Sequence, residues 1–184
     1  MRADARANRD AILAAARTLY ASDSVVPYSA VAAEAGVGIA TLYRHFPTPD
    51  DLIEGLARDI AAQIRDICAR RLEEMGTDPA AGWTGFAGDI AALRLGILFP
   101  HLFRGLSTDT LPRSIHDLRE ETFGAIDTVV DAARSAGLVR HDASTLQIHL
   151  GLSLLTRPTP EIVDQLVPGL TDWLIDVFLR GLRP

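Results

Sequence analysis

The stretch Tyr28 to Phe46, YSAVAAEAGVGIATLYRHF, limits what this chain can fold into more than any other. It reads as two short helices joined at Gly36-Val37-Gly38. Val31, Ala32 and Ala35 fall at helical spacing in the first, and Leu42 and Phe46 share a face of the second. Glycine at position 36 suits a tight bend, because it takes positive φ without steric cost. Two helices crossing through so short a turn form a helix-turn-helix, whose second helix enters the major groove of DNA. That second helix is predicted over Ile39 to His45, opening at Gly38. Leu42 and Phe46 anchor it inward, so Thr41, Tyr43, Arg44 and His45 are expected to turn their hydrogen-bonding tips outward.

Upstream, a first helix is predicted from about Ala5 to Ala21, with Ile12, Leu13, Ala16, Leu19 and Tyr20 in one stripe. Ser22-Asp23-Ser24 breaks it, and Pro27 sits near the first turn of the next helix. The order GVGIATLYRHFP, with Ile12-Leu13, Ala15-Ala16 and Leu19-Tyr20 before it, closely resembles the signature of the TetR (tetracycline-repressor) transcription regulators. The resemblance covers roughly the first fifty residues. Beyond them the chain is similar to the family only in length and helical character. The resemblance implies that Tyr43 and His45 contact backbone phosphates and set the register on DNA. The chain departs from the family twice. Members commonly carry a Lys or Arg in the first turn of the fourth helix, where Pro49-Asp50-Asp51 stands here, and a Ser where Gly38 stands. Both departures lower the expected DNA affinity.

The residue chemistry of the head fits the same reading. Thr41 and Arg44 can reach base edges or phosphate, and Arg pairs best with guanine in the major groove. Ile39 and Ala40 are placed for apolar contact, for example with a thymine methyl. Ser29, in the first turn of its helix, can bond a phosphate alongside local N–H groups. Arg6 and Arg9 can touch the flanking backbone. Taken singly, Tyr43 would serve equally as an aromatic closing the small core, and His45 as a surface neighbour of Phe46. The formal charge of −6 argues against general affinity for polyanions. It is uneven, however: up to Pro49 five Arg face four acids, net +1, so the remainder carries −7. A nearly neutral head on an acidic body fits a chain of which only the head approaches DNA. All 18 basic residues are Arg, which with the Ala-rich composition points to codon bias.

Further along, Thr48 is placed as N-cap, Pro49 as first-turn proline and Asp50-Asp51 as complements of the positive helix end. The helix they start is predicted to run to about Met75, with Leu52, Leu56, Ile60, Ile64 and Cys68 in one row. Asp78-Pro79 opens another, to about Gly96. Leu98 to Phe103 is expected to be a short helix or turn broken by Pro100. Long helices follow from Pro112 to about Ala136, closed by Gly137, and from Asp142 to Leu155. A last helical region starts at Thr159-Pro160-Glu161 and is kinked or split by Pro168-Gly169. The fold class is therefore all-α: a three-helix helix-turn-helix DNA-binding head (1–49) and a larger helical effector-binding and dimerisation body (50–184).

In the body, Trp83, Phe86, Phe99, His101, Phe103, His116, Arg119 and Phe123 are candidates to line a cavity for a small, largely apolar effector. The same aromatics would also fill an ordinary core, and the case for a pocket rests mainly on the resemblance. The last two helical regions look too apolar for a solvated surface. Two helices from each subunit would make a four-helix homodimer interface, with Leu146, Leu150, Leu154, Trp173 and Val177 in it. Catalysis finds little support. Glu73-Glu74, Glu120-Glu121 and Asp50-Asp51 are adjacent pairs pointing to different faces. No His pair has helical metal spacing, the single Cys68 excludes an internal disulfide, and no phosphate loop or nucleophile elbow occurs. No catalytic residue, metal or cofactor is expected. With no signal-like segment and no apolar run near the ~20 residues of a membrane span, the cytoplasm is the expected compartment. The expected function is a ligand-responsive regulator, most simply a repressor on a palindromic operator. The rivals are a helical binding protein that has lost DNA recognition and a small helical enzyme.

Overall fold

The computed structural model describes residues 2–22, 26–93, 113–157 and 161–184. Among them all regular structure is helical: α1 (Arg2–Ser22), α2 (Tyr28–Glu34), α3 (Ile39–His45), α4 (Pro49–Met75), α5 (Pro79–Ala92), α6 (Arg113–Ser135), α7 (Thr145–Leu155), α8 (Glu161–Leu166) and α9 (Leu170–Gly181). The chain divides into two compact units. One contains α1 to α3 and α4 as far as Ile60; the other contains α4 from Ala61, α5 and the chain from His116 onward.

The first unit is a small core closed by local turn chemistry. Pro27 sits one position outside α2, as its N-cap, and its carbonyl accepts the N–H of Ala30 and Val31. Gly36 ends α2 at φ 65°, and the N–H groups of Gly36 and Val37 return to the carbonyls of Ala33 and Ala32. This is the left-handed exit that an L side chain resists and glycine accepts. Gly38 is extended, and its carbonyl accepts from Thr41 and Leu42 to start α3. Ile12, Leu13, Ala16, Tyr20, Val31, Ala32, Leu42 and Phe46 are buried, and Leu52 and Leu56 of α4 are buried with them. Gly55 allows the closest approach: a Cβ there would meet Phe46 Cε1 at 2.5 Å. Arg17 Nη2 donates to Asp59 Oδ2 at 2.9 Å, tying α1 to α4. The compact head thus takes in about three turns of α4 beyond Pro49, because three helices alone leave Phe46 uncovered.

The start of α4 is closed reciprocally. Thr48 donates its N–H and Oγ1 to Asp51 Oδ2 at 2.9 and 2.7 Å, and Asp51 N–H returns to Thr48 Oγ1 at 3.2 Å. Thr48 is the predicted cap, with Asp51 as its partner.

In the second unit Asp78 caps α5 by accepting from Ala81 N–H. Trp83, Phe86 and Ile90 of α5, Ile126, Val129 and Val130 of α6, and Ile148 and Leu152 of α7 are buried. Arg71 joins α4 to α5 through Asp89 at 2.7 Å and also holds Glu74 at 2.6 Å. Gly137 closes α6 at φ 70° as expected. Helix α7 begins at Thr145, three residues later than Asp142, because Ser144 and Gln147 form a capping box while Asp142 holds Arg140. Pro168-Gly169 splits α8 from α9, Gly169 serving as N-cap at φ 77°. Phe178 of α9 lies against Gly151 of α7, where a Cβ would meet its ring at 2.6 Å. The predicted Leu98–Phe103 turn lies outside the described residues. Among the described residues no helix is long and apolar enough to cross a membrane.

Candidate nucleic-acid interface

Helix α3 is seven residues long and has one fully buried side chain, Leu42. Its outward surface is Ile39 (44% exposed), Ala40, Tyr43 (51%) and Arg44. Thr41 and His45 are half-buried flanks rather than outward tips. Helical geometry explains the difference: Thr41 lies about 100° and His45 about 60° round the axis from Leu42 on the same side. The His45 ring stands 6.4 Å from that of Phe46. Ser29 and Gly38 are exposed.

Two side chains hold this surface in place. Tyr28, at the first position of α2, reaches across the turn. Its hydroxyl donates to the Phe46 carbonyl at 3.2 Å and also reaches the Thr48 carbonyl. Its ring sits 5.1 Å from the Tyr43 ring, tilted at 51°. Burial, reinforced by Tyr20, Asp51, Tyr43 and Asp50, pushes the Tyr28 phenol up to about 12, so it stays neutral and able to donate. Sequence reasoning missed Tyr28; an aromatic directly after Pro27 was the only local sign. Arg44 is the second. Its Nε donates to the Ala40 carbonyl and its Nη2 to Thr41 Oγ1, each at 3.2 Å. Three other head arginines are engaged elsewhere: Arg17 with Asp59, Arg6 with Asp10 at 3.9 Å, and Arg9 over the Phe46 ring at 5.5 Å. Asp50 is exposed at the head of α4, and Asp51 belongs to the cap.

The body candidates fall into separate groups. Trp83 and Phe86 are buried and stacked at 5.6 Å and 18°. Phe123 is half-buried, edge-on to His149 at 5.5 Å, with the Arg119 guanidinium 5.6 Å above its ring. His116 and Arg119 are exposed. Phe99, His101 and Phe103 lie outside the described residues. His149, absent from the predicted set, is buried, and burial holds its imidazole below its ordinary value. A cleft of about 550 Å³ beside Trp83 is lined by Thr84 and Gly88 of α5 and by Asp172, Ile175, Asp176 and Leu179 of α9, among others.

Leu146, Leu150, Leu154, Trp173 and Val177 are all exposed, Trp173 to 59%. Ile162, Leu166 and Val167 are exposed too and were not singled out. Helix α7 is therefore two-faced, burying Ile148 and Leu152 on its other side, rather than apolar all round to one purpose. Cys68 is buried, and burial pushes its thiol up to about 11. Among the described residues no three His, Cys, Asp or Glu side chains group as metal ligands.

Residues 12–56 match the profile of the bacterial regulatory proteins of the tetR family. No curated protein matches the chain. Among solved structures, a TetR transcriptional regulator from Streptomyces coelicolor is 28% identical, with a TM-score of 0.69 over 96% of this chain and 98% of that one. A TetR transcription regulatory protein from Mycobacterium vanbaalenii is 27% identical, with a TM-score of 0.66 over 100% of this chain and 99% of the other. The matched segment runs from the middle of α1 through the α2–turn–α3 unit to the start of α4, and the likeness to the two regulators covers nearly the full length of the chain. Head and fold together support a regulator of the TetR family of DNA-binding transcriptional regulators, to which this chain is similar.

Proposed function

We propose that this regulator is a cytoplasmic repressor that binds a palindromic operator as a homodimer and is released by a small, largely apolar effector. Residues 1–49 bind DNA in this reading, and residues 50–184 bind effector and the second subunit. The observation that carries it is the outward face of α3. Ile39, Ala40, Tyr43 and Arg44 are exposed on a helix that Leu42 and Phe46 anchor. Tyr43 and His45 take phosphates, with Ser29 alongside, while Ile39, Ala40, Thr41 and Arg44 face the groove floor or its rim.

The exposed apolar side chains of α7 and α9 support a homodimer, which gives each head a partner for the second half-site. Trp83, Phe86, Phe99, His101, Phe103, His116, Arg119 and Phe123 remain the effector-site candidates. Effector binding favours a body conformation that shifts α4, and α4 continues into the head.

Gel-shift with the DNA upstream of its own gene tests the reading. A specific complex should form, weaken as salt rises, and weaken again when Tyr43→Ala is used. Equal binding to scrambled duplex would favour the rival reading, a helical binding protein without an operator, for which exposed Asp50 at the phosphate side of α4 is the motive. Screening apolar compounds against the preformed complex tests release.

A further inference from the structure

We infer that Arg44 reads a guanine in each operator half-site and that Thr41 positions it for the task. This rests on the DNA-binding reading above and gives it a base.

The argument starts from the donor inventory. A guanidinium has five N–H donors. Two are used within α3, Nε–H on the Ala40 carbonyl and one Nη2 hydrogen on Thr41 Oγ1. Both Nη1 hydrogens and one on Nη2 are left. Two of them, one on each Nη, lie parallel at the end of the fork and match the O6 and N7 acceptors of guanine. Adenine offers N7 beside a donor, so the same fork meets one acceptor and one clash of hydrogens.

The surroundings agree. Among the described residues no carboxylate is paired with Arg44, whereas Arg17 is held by Asp59 and Arg9 covers Phe46. Ala40 lies one turn before Arg44 on the same exposed face. Its methyl lets the helix come close to the base edges there, which brings them to the exposed guanidinium lying beside it. Thr41, half-buried at the flank, offers the fork an acceptor on the same helix. Arg44 is folded back along its own helix by these two bonds, with part of its rotamer entropy spent before DNA is met.

The test is selection of duplexes from a random pool by the full-length protein, followed by affinity measurements over a salt series. The wild type should select a half-site with a fixed G·C pair. Arg44→Ala should abolish the preference at that pair, a loss of roughly tenfold to a hundredfold in discrimination, and leave the salt slope nearly unchanged. Arg44→Lys should keep the charge and lose most of the discrimination. Thr41→Val should weaken discrimination at the same pair by a larger factor than it weakens binding to random duplex. If Arg44→Ala instead weakens every sequence alike and flattens the slope by about 2 for a dimer, Arg44 is a phosphate clamp and the inference is overturned. A selected palindrome with no fixed G·C overturns it as well, with the DNA-binding reading left standing. Failure of the wild type to select any duplex sinks both. Helical content and melting temperature of each variant, expected near wild-type values because Arg44 is exposed and Thr41 only half-buried, separate lost reading from lost folding.

Discussion

Tyr28 links three parts of the head through one side chain. Its hydroxyl serves the carbonyls at the α3–α4 turn, and its ring supports Tyr43. Tyr28→Phe should keep the ring and lose about 1 kcal/mol of stability at pH 8, read by urea unfolding. Because the folded-state phenol is raised from 10.0 to about 12, the fold favours the protonated form. That contribution is present below pH 10 and is lost as pH rises toward 12. The gap between wild type and Tyr28→Phe should therefore shrink above pH 10, and a constant gap would argue against the assignment. His149 works in the opposite window. Burial lowers its folded-state value below 6.5, so the unfolded chain takes up the proton first. Stability should be full above pH 6.5 and decline as pH falls below it, and His149→Gln should flatten that decline in thermal melts.

The helix ends were open to reading because their chemistry is local. Thr48 with Asp51, Asp78 before Pro79, Gly137 and the break at Pro168-Gly169 all act within a few residues of themselves. Where two local signals competed, as Asp142 and Ser144 did, the box that satisfied two N–H groups set the start of α7. The contact between α3 and α4 is of another kind. Gly55 receives the ring of Phe46, and nothing near Gly55 in the chain announces it. Gly55→Ala should displace Phe46 and destabilise the head by about 1–3 kcal/mol in calorimetry. Operator affinity should fall with it, since Phe46 ends the recognition helix. Unchanged affinity and melting would mean that the ring has room to move.

For the molecule as a whole, the exposed apolar side chains of α7 and α9 are the feature most in need of a partner. Leu150→Glu together with Trp173→Glu should give a folded monomer in light scattering, and operator affinity should drop on the order of a hundredfold as linked half-sites become separate events. A wild-type chain that is monomeric at all concentrations would remove this account.

Sequence alone determined the helical class, the α2–turn–α3 unit and most caps, because each depends on periodicity or on chemistry a few residues long. It also carried the resemblance to the TetR family, through the run from Gly36 to Pro47. Which side chains of α3 stand outward, how Tyr28 and Arg44 are held, and where the head's core ends on α4 were decided by tertiary packing. The reason is distance along the chain. Tyr28 meets Phe46 and Thr48, Arg17 meets Asp59, and Phe46 settles on Gly55 only once separate helices have closed on one another.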